Sequence, residues 1–133
     1  FYTQKYLLNE IDQNLANYQN IESITFDREI INIFQSHLDN ENLELDYLAE
    51  LFEIPTEKYL VSRSQQVDIE AIYHVRNQLL DLIANSFEHK FFQSYKENHI
   101  SEVYEYNKYK VGQRRFKNLC LTFLMRLKKA EYA

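Results

Sequence analysis

The chain has 133 residues, 45% of them hydrophobic and 26% charged, with a net charge of -5. That length fits one domain able to bury roughly two-thirds of its unfolded surface, and the composition is that of a globular chain rather than a disordered one. The negative balance argues against a nucleic-acid partner, which needs an excess of Lys and Arg on one face; the basic run from Lys108 to Lys129 reads as a solvated helix face.

One Gly and one Pro in the whole chain exclude a sheet built on hairpin turns. Long helices joined by short links are expected, so the fold class is all-α. Cys120 is the single cysteine, which rules out an internal disulfide and leaves a cytoplasmic location as the expectation. No apolar run reaches the roughly 18 residues of a membrane span. The start, Phe1-Tyr2-Thr3-Gln4-Lys5, has no initiator Met and does not form a signal peptide. The chain reads as a piece of something longer.

Residues 2–19 form the first expected helix, with Leu8, Ile11, Leu15 and Tyr18 in helical steps. Thr25 or Asp27 can cap a second helix, whose stripe is Phe26, Ile30, Phe34 and Leu38. A polar break at Asp39-Asn40-Glu41-Asn42 leads to a short helix over 44–53, with Leu45, Leu48 and Phe52 inward. Pro55 ends that helix and can occupy the first turn of another, from Pro55 to Arg63. Asp68 caps one long helix over 69–97, about 45 Å in length. A Tyr-rich connection over 98–106 precedes the last helix, 107–130, with Phe116, Leu119, Cys120, Phe123, Leu124 and Leu127 on one face. Antiparallel helix pairs, stacked as an irregular bundle or a short solenoid, are the expected architecture.

Chemistry is sparse in this sequence. Four histidines stand at 37, 74, 89 and 99, with no HExxH and no Cys-x-x-Cys. His74 and His89, fifteen residues apart on one helix, are about 20 Å distant and cannot share a metal. Glu88, His89, His99 and Glu102 are the best metal-like group, and solvated link residues are the better reading, since zinc needs three or four convergent ligands. Ser101 beside His99 lacks the turn of a nucleophile site. Cys120 falls on an apolar face and reads as a buried thiol. Arg76, Arg114 and Arg115 are expected in internal ion pairs, with Glu57, Asp68 or Asp81 as partners. Eleven Tyr and nine Phe read mainly as core and rim, leaving Tyr104, Tyr106 and Tyr109 as an interface to watch.

Two blocks carry a resemblance. The first is Ile54-Pro55-Thr56-Glu57-Lys58-Tyr59-Leu60, then Val67-Asp68, then Ala71 to Arg76 with Leu79 and Leu80 following. The second is Gln113-Arg114-Arg115-Phe116-Lys117-Asn118-Leu119-Cys120-Leu121-Thr122-Phe123-Leu124. In order and separation they resemble the C-terminal helical region of bacterial aminopeptidase N, a zinc aminopeptidase of the gluzincin class. Ile69, Thr56 and Phe116 stand where that family usually has Pro, Ser and Leu. The first two affect helix starts and the third is an apolar exchange.

The resemblance implies that residues 1–133 are a single helical domain, the first half of a larger C-terminal region. It implies a parent enzyme whose separate catalytic domain carries HExxH, zinc and the peptide-binding loop, and removes N-terminal residues from peptides. The fragment itself is then expected to be inactive, to hold no cofactor and to help wall the substrate chamber. Its partners are the rest of that chain and, through it, peptide substrates, with a homodimer through the cut face as a further expectation. Structural roles fall to Pro55, Thr56 and Glu57 at a helix start, Asp68 as a cap, Arg76 in an ion pair, and Arg115 and Asn118 as ties from the last helix. The competing reading is an independent helical module that binds a protein partner through a Tyr-rich surface.

Overall fold

A computed structural model describes residues 2–64, 68–98 and 108–128. Those residues form seven α-helices and one 3-10 turn, with no strand among them. Helix α1 is Tyr2–Ala16, the 3-10 turn Ile21–Ser23, α2 Glu29–Asp39, α3 Leu45–Leu51 and α4 Glu57–Arg63. The second half holds α5 Ile69–Ser86, α6 Glu88–Glu97 and α7 Lys108–Met125.

The helix starts are fixed by local chemistry. Thr56 caps α4 by accepting the Tyr59 N–H at 3.1 Å, and Asp68 caps α5 by accepting the Ala71 N–H at 3.0 Å. Glu57 and Glu70 sit in the first turns of these helices, where a negative charge faces the positive end of the dipole. Pro55 lies one residue before the Thr56 cap, so α4 begins at Glu57 and not at Pro55. Asp27 accepts the Glu29 N–H at 2.9 Å and so stops the chain at the head of α2. The link after α1 is less loose than its polar letters suggest. Asn20 and Ser23 form a reciprocal capping box around the 3-10 turn.

One expected helix is two. The apolar pattern runs unbroken through residues 69–97, but the chain turns at Phe87, whose φ of -120° and ψ of 22° are not helical. Phe87 closes α5 with an N–H to Ile83 and opens α6 by accepting the Phe91 N–H at 2.8 Å. A straight helix would carry its later residues off the molecule. The bend lets Phe87 and Phe91 both reach the core, at 4% and 0% exposure.

That core is built around aromatic rings. Phe52 stacks on Phe34 at 4.6 Å and meets Phe87, Phe91 and Phe123 edge-on at 6.4, 5.6 and 6.3 Å. Alternating stacked and edge-on contacts suit the ring quadrupoles. Helix α7 lies against α3 and α6 and more lightly on α5, while α5 also packs on α1 and α4. Buried Asn14 pins the link before α2 to α1: it donates to the Thr25 carbonyl and accepts the Thr25 N–H, both at 2.9 Å.

Candidate functional site

Helix α3 is held between two features of α7. Gly112 faces the first turn of α3 so closely that a β-carbon there would lie 3.1 Å from the Asp46 nitrogen. One turn on, Arg115 spreads its guanidinium between Asp46 in the first turn of α3 and Glu53, two residues past its end. Its Nη1 donates to Asp46 Oδ1 at 2.8 Å and its Nη2 to Glu53 Oε1 at 2.5 Å. A planar fork meets two carboxylates in a way an ammonium cannot. The hydrogen bonds to Asp46 and then Glu53 hold the Arg115 guanidinium above its ordinary pKa.

Beside this clamp, a groove of about 760 Å³ lies between the link before α3, the end of α6 and the start of α7. Glu41, Glu44 and Glu97 rim it, Asn98 and Gly112 line it, and Tyr109 stands at its mouth, 65% exposed. Asn98 is buried and donates back to the Ser94 carbonyl at 2.8 Å. The lining contains no Ser, Thr, Cys or His, so it supplies neither a nucleophile nor an imidazole base. Among the described residues, no group of three or more His, Cys, Asp or Glu side chains is placed to hold a metal ion.

The other residues singled out from the sequence occupy separate places. Arg76 does not ion-pair directly with Asp68 or Asp81. Its Nε donates to the Pro55 carbonyl at 2.7 Å, and burial, only partly offset by the nearby Glu57 charge, lowers its pKa. It ties the head of α4 to α5. Asp81 instead pairs with Arg126 at 2.9 Å. Neither Asp46 nor Glu53 was among the expected partners of Arg115, because nothing local in the sequence brings residues 62 and 69 positions apart together.

Asn118 is exposed on α7. It follows Phe116 by two residues, about 200° around the helix, which puts it opposite the buried face. Its carbonyl accepts the Thr122 hydroxyl at 2.9 Å. Cys120 is fully buried, and burial pushes its thiol pKa up to about 12. His89 is exposed on α6, while His99, Ser101, Glu102, Tyr104 and Tyr106 lie outside the described residues. Exposed tyrosines Tyr2, Tyr47, Tyr59, Tyr73 and Tyr109 sit on five different helices. His37, which carried no expectation beyond its count, bonds Thr3 at 2.9 Å and joins the end of α2 to the start of α1.

Paired helices, a bend between α5 and α6, and a last helix laid across its neighbours define a helical-repeat domain of the armadillo kind. The chain belongs to the family described as a domain of unknown function (DUF3458_C), ARM repeats, whose model matches residues 2–133. No curated protein matches it. Among solved structures, it is similar to Legionella pneumophila aminopeptidase A in complex with aspartic acid, with a TM-score of 0.77 at 18% identity. That match covers 98% of this chain and 16% of the other. At such identity the likeness establishes the fold, and this chain corresponds in length to a small part of that protein. No helix among the described residues is long and apolar enough to cross a membrane.

Proposed function

We propose that this domain is a non-catalytic helical segment of a zinc-dependent aminopeptidase of the aminopeptidase N type, and that it helps wall the chamber into which peptides enter. One observation carries the reading. Nearly the whole chain, 98% of it, superposes on a small part of a much longer aminopeptidase. The two motif blocks, 54–80 and 113–124, add support from residues rather than from shape. Thr56, Asp68 and Arg76 fix helix ends, and Arg115 fixes the α3–α7 contact. These are the duties of a rigid wall, which contributes by excluding bulky substrates and water and not by touching the reacting bond. The zinc ligands and the general base would come from another domain of the same polypeptide. A cytoplasmic setting and a role in peptide breakdown belong to this reading.

The test is turnover of alanyl-aminocoumarin with added zinc, by this 133-residue chain and by the polypeptide encoded by its uninterrupted reading frame. Silence from the first and turnover by the second is the expected result. Turnover by the isolated chain, or a reading frame without HExxH, would overturn the proposal.

A further inference from the structure

We draw no further inference here: the strongest candidate, the groove between the link before α3, the end of α6 and the start of α7, with Glu41, Glu44 and Glu97 on its rim and Tyr109 at its mouth, is an acidic cluster without a second feature that points to a ligand, and nothing in the structure shows what covers it.

Discussion

Phe91 and Phe123 stack face to face, with centroids 4.9 Å apart and planes 6° from parallel, and this contact joins α6 to α7. Phe52 meets both rings edge-on and links them to Phe34. One side chain of the short helix region thus joins α2, α6 and α7. Phe52→Ala is expected to cost about 3–5 kcal/mol, because it removes transfer energy and leaves a cavity among rings that cannot collapse. Domains of this size hold only about 5–15 kcal/mol in all. Urea unfolding followed by circular dichroism should show the midpoint fall by a large fraction, with Phe52→Leu retaining more than half of the loss. A shift below about 1 kcal/mol for the alanine variant would contradict the hub role.

Arg115 offers a milder test. Its side chain is 34% exposed, so its two ion pairs are screened by solvent. Arg115→Ala is expected to destabilise the fold by about 1 kcal/mol, and Arg115→Lys to recover under half of that, since one ammonium cannot span Asp46 and Glu53. Repeating the measurement at about 1 M salt should shrink the difference. Equal stability of the lysine variant and the wild type would show that the fork geometry is unimportant.

Two polar positions make a contrast. Asp68 receives the Ala71 N–H at the head of α5, whereas Asn118 stands exposed on the far side of α7. Asp68→Ala should cost about 1 kcal/mol. Asn118→Ala should stay within about 0.5 kcal/mol, as for ordinary surface sites. A reversed order in thermal melts would mean that the Asn118 amide carries a bond to the rest of the fold.

His37 gives the fold a pH dependence of known sign. Burial lowers its pKa from the ordinary 6.5. The unfolded chain then binds more protons than the folded one once the pH falls below that value, so unfolding is favoured by acid. The contribution is fully present above pH 6.5 and is lost as the pH drops through the lower, folded value. Melts in stepped buffers between about pH 7.5 and 5 should show stability falling toward acid. His37→Gln should flatten that slope. An unchanged slope in the variant would assign the effect to other groups.

Much of this protein was legible as letters. The scarcity of Gly and Pro, the three-and-four spacing of apolar residues and the Thr56 and Asp68 caps are local features, and local hydrogen bonding and burial on one face are enough to act on them. The two motif blocks pointed to the family's region before any fold was known, because capping and packing residues recur where helix ends recur. What the sequence could not show depends on distant contacts. The break at Phe87 leaves no mark in the apolar period, and it exists because Phe87 and Phe91 both gain by reaching Phe52. Arg115 had several carboxylates to choose from, and only the close approach of α7 at Gly112 delivered Asp46 and Glu53. Asn14 looked like an ordinary polar residue and Thr25 like a helix cap until the fold buried the first against the backbone of the second. Periodicity records which face turns inward. Which partner waits there is set by the packing of the whole chain, where burial energy is shared among residues far apart in sequence.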